Sequence, residues 1–446
     1  MHGVKVHFET FGCQMNKLDS ETAAELLVNE GFELADDPAA ADVILFNTCS
    51  VRQHAEERVY SRIGALKHLK RRKPWLVIGV MGCMAQKDGP LVFRRAPLVD
   101  LVCGPGREAD LLSLIAHARN GSKVLALDPG RFAPAAKPPA DVLVIDDQPH
   151  PAAQPHRTGA ARPQPFHAFI AIMLGCDNFC SYCVVPYVRG PERSRPIRDV
   201  AEEARRLAAS GVREVTLLGQ NVDSYQFGLP ALLRVIHEIP GIERIRFVTS
   251  HPKDVSDELL GTMAELPKVC RHLHVPAQSG SNRILHMMNR RYTREHYLAL
   301  ADRARKIVPG IELASDFIVG FPTETDEDFQ QTVDLVRKAE FNQCFIFKYS
   351  PRPGTRAAEM PDDVPDHVKK LRNNELLAMQ EEVSSRRNRQ KIGRVMEVLV
   401  EGSSKNDPGK LAGRTGGNDI VAFEGPESLA GEIVAVRITD CTPLTL

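Results

Sequence analysis

Three apolar runs near the start of the chain each end in a cysteine. They are ETFGC, LFNTC and VMGC, closing on Cys13, Cys49 and Cys83. Successive members are 36 and 34 residues apart, about the length of one strand–helix unit. Helical stretches fill the intervals: LDSETAAELLVNEG, stopped by Gly31, and HAEERVYSRIGALKHLKRRK, read as one long helix. Such alternation predicts an open parallel sheet covered on both faces, whose strand ends lie along one edge. Cysteines far apart in sequence then converge there. VDLVCG is a shorter fourth strand, and its Cys103 would reach the same edge. The Gly-Pro-Gly turn beside it fits a packing role equally well, so Cys103 is left outside the set.

The 446 residues exceed one ordinary domain. The first domain is expected over 1–127. Residues 128–164 are dense in Pro and Ala, as in QPHPAAQPHRTGAARPQP, and predict a linker. A second alternating series follows over 165–382, with strands HAFIAIML, EVTLLG, RIRFVTS, HLHVPA, ELASDFIVG and QCFIFKYS. Six β/α units predict a partial (β/α)6 barrel, closed or partly open. The tail, 383–446, opens on a helix. It continues as the short runs RVMEVLVEG, LAGRTGG, DIVAFEG and GEIVAVRITDC with Gly-rich turns, which predict a small antiparallel β-barrel. The fold class is therefore α/β with an all-β C-terminal domain.

The stretch GCDNFCSYC places Cys176, Cys180 and Cys183 in the spacing C-x-x-x-C-x-x-C, on a loop after the first barrel strand. Parallel α/β folds set their chemistry at that end. A structural zinc normally closes with four ligands, and VVPYVRG after Cys183 supplies no fourth Cys or His. Three thiolates on a four-iron cluster leave one iron open to a small molecule. The ten cysteines point to metal or redox chemistry in a reducing compartment. Cys270, Cys344 and Cys441 lie in or beside apolar stretches and read as structural.

Lys plus Arg and Asp plus Glu number 57 each, so RNA contact must come from a local patch. The start MHGVKVHFETFG has no signal-peptide pattern, and no apolar run approaches a membrane span. A cytoplasmic protein without membrane contact, and a monomer, is expected.

The spacing of Cys176, Cys180 and Cys183 on such a barrel resembles the radical S-adenosylmethionine superfamily. Together with FGCQMN, NTCSVR, GVMGCMAQ, GCDNFCSYCVVPYVRGPERSR, LLGQNVDSY, HVPAQSGSNRILHMMNRRYT and YSPRPGT, the chain is similar to the radical methylthiotransferases. The likeness spans nearly everything except the Pro/Ala stretch. It implies two 4Fe–4S clusters, a radical one on Cys176, Cys180 and Cys183 and an auxiliary one on Cys13, Cys49 and Cys83, with sulfide or polysulfide bound at the latter. It implies S-adenosyl-L-methionine as cofactor, a TRAM domain at the C-terminus, a tRNA anticodon stem-loop as partner, and an electron donor such as flavodoxin or ferredoxin. The loops GCQMN and NTCSVR favour the branch that methylthiolates carbon-2 of isopentenylated adenosine at position 37. Relatives acting on threonylcarbamoyl-adenosine, or on an aspartate of a ribosomal protein, are the alternative. A metal protein that only binds RNA through its tail is a third reading.

Polar residues at the barrel mouth are candidates for the cofactor's ribose or amino acid moiety: Gln220, Asn221, Ser250, Gln278 with Ser279, and Asp316. Turn formation explains them equally well. Gly320 and Pro322 permit close backbone approach or form a turn. Arg189, Arg193 and Arg195 follow the radical motif and suit a phosphate or carboxylate, with a solvated loop as the alternative. Arg386, Arg387, Arg389, Lys391 and Arg394 form a basic run at the entrance to the tail and are the RNA candidates. Lys67 to Lys73 is a second basic run that a helix C-terminus explains.

Overall fold

The computed structural model describes residues 3–50, 53–128, 137–145 and 165–446. The chain divides into two units: the described residues up to 145 with 174–177 and 183–193, and residues 165–173, 178–182 and 194–446. Among the described residues no helix is long and apolar enough to cross a membrane.

The first unit is built on a seven-stranded parallel sheet, ordered β2-β1-β3-β4-β5-β6-β7. Its strands are β1 (Lys5–Phe11), β2 (Glu33–Leu34), β3 (Val43–Thr48), β4 (Val77–Met81), β5 (Leu101–Cys103), β6 (Lys123–Ala126) and β7 (Val142–Val144). Every residue of β3 and β4 is buried, because each face carries its own core. Val43, Leu45, Val77 and Met81 pack on one side, and Ile44, Phe46, Ile78 and Val80 on the other. This is the near-continuous apolar reading of a doubly covered parallel strand.

Two corrections to expectation arise here. β7 lies inside the stretch expected to be linker and pairs with β6, Val124 opposite Leu143; residues 129–136 and 146–164 of that stretch lie outside the described residues. The helix expected as one piece is two, Gln53–Ala65 and Lys67–Arg72.

The second unit carries six parallel strands in chain order, in two groups of three. One holds β8 (His167–Ala171); two short strands, β9 (Met173–Leu174) and β10 (Arg193–Ser194), flank the cysteine loop. The first group is completed by β11 (Glu214–Leu218) and β12 (Arg244–Phe247). The other is β13 (His272–His274), β14 (Glu312–Val319) and β15 (Gln343–Lys348). The groups are stitched by a bridge from Ile245 to Val269 and by Ser250 N donating to His274 O at 3.1 Å. No ladder joins β15 to β8 among the described residues, so the barrel is partial and open. Helices Ile197–Ala209, Arg294–Ile307 and Asp326–Ala339 bury one face each against it, as amphipathic helices on a sheet do.

Helix Asp366–Arg389 runs unbroken through the expected 382/383 boundary. Beyond it an antiparallel sheet, ordered β18-β17-β16-β19, is formed by β16 (Val395–Ser403), β17 (Leu411–Thr415), β18 (Ile420–Phe423) and β19 (Ile433–Arg437). The C-terminus returns to β18, Leu446 N donating to Ile420 O at 2.9 Å. Val398, Val421, Ile438 and Leu446 fill its interior.

Candidate metal centres and cofactor site

β1, β3 and β4 are neighbours, with Phe11 opposite Thr48 and Asn47 opposite Met81. Cys13, Cys49 and Cys83 therefore follow the ends of three adjacent strands, as the spacing predicts. Their loops are laced by two buried asparagines that sequence reading did not single out. Asn16 Oδ1 accepts from the Cys13 backbone N–H and thiol, both at 3.3 Å. Asn16 Nδ2 donates to Asn47 Oδ1 at 3.0 Å, and Asn47 Nδ2 returns to Asn16 O at 2.9 Å. Gly82, at φ +86°, lies against this brace: a Cβ there would stand 2.3 Å from Asn47 Oδ1. At Gly12 it would stand 2.9 Å from the Cys49 Cβ.

The thiols sit in unlike surroundings. A hydrogen bond with Cys49 holds the Cys13 thiol down to about 6, with the charge of Arg189 assisting against burial. Burial pushes the Cys83 thiol up. Arg189 Nε donates to Cys83 Sγ at 3.3 Å, and its Nη2 donates to Asp19 Oδ2 at 2.6 Å. Cys103 is buried, with its thiol donating to Arg107 O at 3.4 Å; burial raises its pKa well above the usual thiol value. It is a protonated donor to its own loop.

An all-sulfur donor set in which the Cys13 thiol is held below the usual thiol range suits an iron–sulfur cluster. Among the described residues no group of His, Cys, Asp or Glu side chains is arranged to hold a single metal ion. A four-iron cube takes each thiolate on a different iron and spreads its ligands wider than one ion does. Three thiols following adjacent strands are a donor set of the kind such a cluster takes.

The radical motif follows β9. Gly175 has φ +84°, and a Cβ there would lie 1.9 Å from Pro191 O, so only glycine fits. Cys176 N donates to Gly190 O at 3.1 Å. Residues 174–177 and 183–193 belong to the first unit, and 178–182 to the second. In the second unit Cys180 Sγ accepts from Arg290 Nη1 at 3.3 Å. Ser181 N donates to Met288 O at 3.0 Å, and Asn289 Nδ2 to Phe179 O at 2.9 Å. The HMMNRR segment thus grips the cysteine loop.

At the barrel mouth the polar candidates join a network. Asn221 Nδ2 donates to Asp254 at 2.7 Å, and Ser250 Oγ to Asp223 at 3.1 Å. Burial raises the Asp223 carboxyl to about 7. Among the described residues, Gln220 Oε1 and Asn221 Oδ1 are buried acceptors without a protein donor, so each can still take an N–H or O–H. Gln278 N donates to Asp316 O at 2.8 Å, and Asp316 Oδ1 meets His274 Nε2 at 3.0 Å.

The arginine expectations need correcting. Arg189 is buried beside Cys83 rather than turned to solvent. Arg195 donates to Ala171 O at 2.7 Å and pairs with Glu203 at 2.8 Å, leaving only Arg193 exposed. In the tail run, Arg387 pairs with Glu312 at 2.6 Å, and Lys391 is buried between Asp419 at 2.6 Å and Glu312 at 2.9 Å. These two fasten the end of the helix and the turn after it rather than face solvent. Arg386 pairs with Glu340 at 2.7 Å, and Arg389 and Arg394 are exposed.

The chain matches the Radical SAM superfamily over residues 170–336, the uncharacterized protein family UPF0004 over 5–104, and the TRAM domain over 389–446. It is 44% identical over 439 residues to the tRNA-2-methylthio-N(6)-dimethylallyladenosine synthase of Syntrophotalea carbinolica, covering 97% of this chain and 96% of that one. It belongs to that synthase family. The synthase of Rhodopirellula baltica is 45% identical over 458 residues, covering 99% and 94%. Among solved structures, the radical S-adenosylmethionine methyltransferase TsrM of Kitasatospora setae, with tryptophan and a cofactor analogue bound, aligns at TM-score 0.56. That alignment has 18% identity and covers 79% of this chain and 75% of that one, a likeness of fold alone. Within the synthase family, then, this chain carries both three-cysteine sets.

Proposed function

We propose that this chain inserts a methylthio group at carbon-2 of isopentenylated adenosine at position 37 of tRNA. The observation that carries the reading is the pairing of two three-cysteine sets in a chain that matches such synthases from end to end. Cys176, Cys180 and Cys183 would hold the radical cluster, and Cys13, Cys49 and Cys83 the auxiliary one. When bound, these groups with S-adenosylmethionine and sulfide or polysulfide supply a substrate radical and a transferable sulfur.

The chain's own residues prepare the ground for that chemistry. Asn16 and Asn47 fix the loops of Cys13 and Cys49 in place, so little ordering remains when the cluster binds. The open acceptors Gln220 Oε1 and Asn221 Oδ1 would take the N–H or O–H donors of the cofactor. Ser250 follows β12; Gln278 follows β13 and donates through its backbone N–H to the carbonyl of Asp316 within β14. Arg389 and Arg394, with Arg386, would meet the phosphates of an anticodon stem-loop beside the TRAM sheet. Reducing equivalents come from a low-potential donor of the flavodoxin or ferredoxin kind, and the chain works as a cytoplasmic monomer.

The test is anaerobic turnover of the reconstituted protein with S-adenosylmethionine, reductant and sulfide. Anticodon hairpins bearing isopentenyl- or threonylcarbamoyl-adenosine are supplied, and nucleoside masses are read. A methylthio product from the isopentenyl hairpin alone is expected, with about eight irons per chain for two clusters. Product from neither hairpin, with 5′-deoxyadenosine still formed, moves the substrate to a protein.

A further inference from the structure

Each three-cysteine set has one sulfur that accepts a hydrogen bond from a buried arginine. Arg189 donates to Cys83 Sγ and Arg290 to Cys180 Sγ, each at 3.3 Å. Both arginines are 5% exposed. The likeness ends with their other partners. Arg189 donates through Nη2 to the carboxylate of Asp19, itself 9% exposed, so a formally neutral pair stands beside Cys83. Arg290 donates to Pro276 O at 2.9 Å and to the Tyr292 hydroxyl at 3.1 Å, both neutral groups. Burial keeps that phenol protonated. Among the described residues no carboxylate pairs with Arg290.

A cluster that takes up one electron gains one negative charge. Hydrogen bonds to its sulfurs and nearby positive charge stabilise that reduced form and raise its potential. In a buried setting the effect of a whole charge is screened little, whereas a compensated pair acts mainly through its hydrogen bond. We propose that Arg290 and the Arg189–Asp19 pair decide which cluster is reduced first. The uncompensated arginine favours the electron at the cluster on Cys176, Cys180 and Cys183, and the Asp19 carboxylate withholds that advantage from the cluster on Cys13, Cys49 and Cys83. The step is one electron passing from an external one-electron donor to a cluster in its 2+ state, giving 1+; no bond forms or breaks. Arg290, Arg189 and Asp19 are positioning residues that act through the cysteines. The inference rests on the two-cluster reading above.

The experiment uses two full-length proteins, each with one set of three cysteines replaced by Ala, reconstituted anaerobically. Iron content is measured first, then the midpoint potential by titration with dithionite followed by electron paramagnetic resonance. The radical-set cluster is expected to have the higher midpoint. Arg290→Gln lowers that midpoint, and Arg290→Lys restores most of it. Arg189→Gln lowers the auxiliary midpoint, whereas Asp19→Asn raises it, a shift that a merely structural role for Asp19 would not produce in that direction. The Arg290→Gln effect should reach a tenfold change in the oxidised-to-reduced ratio, about 59 mV for one electron. A reversed order of midpoints in the unsubstituted sets overturns the proposal, as does an Asp19→Asn midpoint that stays put or falls. If Arg290→Gln loses its iron, those two measurements still decide. Absence of iron from the protein retaining only Cys13, Cys49 and Cys83 overturns the auxiliary-cluster reading itself, and with it this assignment.

Discussion

Asn16 and Asn47, 31 residues apart and both fully buried, are joined by two hydrogen bonds, Asn16 Nδ2 to Asn47 Oδ1 and Asn47 Nδ2 to Asn16 O. They tie the end of β3 to the first turn of the helix that follows Cys13. Asn47 also donates to Ser20 at 3.0 Å. Asn47→Ala leaves the Asn16 amide unpaired inside the fold, a loss of about 1–3 kcal/mol. Urea unfolding of the cofactor-free protein should show that loss. Iron bound by the protein lacking Cys176, Cys180 and Cys183 should fall with it. Unchanged stability and iron would remove the brace from the account.

Gly175 tests the radical loop in the same spirit. Its φ of +84° and the 1.9 Å approach to backbone at Pro191 leave no room for a methyl group. Gly175→Ala should displace the Gly190–Pro191 return and the hydrogen bond it makes to Cys176. Bound iron should drop by about half, from about eight to about four per chain, and 5′-deoxyadenosine formation should cease. Full iron in the variant would show that the loop shifts at no cost.

His251 gives the stability a pH dependence. Burial, then the charges of Arg290, Lys253 and Arg291, depress its imidazole to about 2, and its Nδ1 accepts from Lys253 N at 3.3 Å. The unfolded chain takes up this proton below about pH 6.5, but the folded one does not until far lower. Its contribution is therefore complete above pH 6.5 and lost as the pH falls. Between pH 7.5 and 5.5 the loss is about 1.4 kcal/mol. The His251→Gln variant, compared with the parent by urea unfolding at both values, should lack that share of the slope. Equal slopes would mean the ring is protonated in the fold.

The tail's basic residues separate by role. Replacing exposed Arg389 and Arg394 by Ala should weaken tRNA binding and flatten its salt dependence, with stability unchanged. The log–log slope should fall by roughly 0.7–0.9 for each phosphate that the protein no longer neutralises. Lys391→Ala instead leaves buried Asp419 without its cationic partner, while Glu312 keeps Arg387, and should cost about 3–5 kcal/mol, seen as a lower unfolding midpoint. If Lys391→Ala changes only RNA affinity, the assignment of roles is reversed.

Much of this arrangement was legible in the chain itself. The six strands from HAFIAIML to QCFIFKYS and the four tail strands all form, because each is an apolar or alternating run between clear breakers. The convergence of Cys13, Cys49 and Cys83 followed from parallel topology alone. β6 and β7 escaped notice because a strand of three or four residues has too little pattern of its own; its partner makes it a strand.

Sequence alone determined the type and order of the longer elements and the cysteine spacing, since periodicity and covalent spacing are local properties. Tertiary structure alone decided which charges are used up inside. Arg189 and Lys391 look like surface cations in the chain, yet Asp19, 170 residues from the first, and Asp419, 28 from the second, draw them into the interior. A charge is buried only where a counter-charge or hydrogen-bond partner meets it, and that partner is chosen by the fold rather than by any neighbour in sequence. The difference between Arg189, neutralised, and Arg290, bare, belongs to the same class of fact.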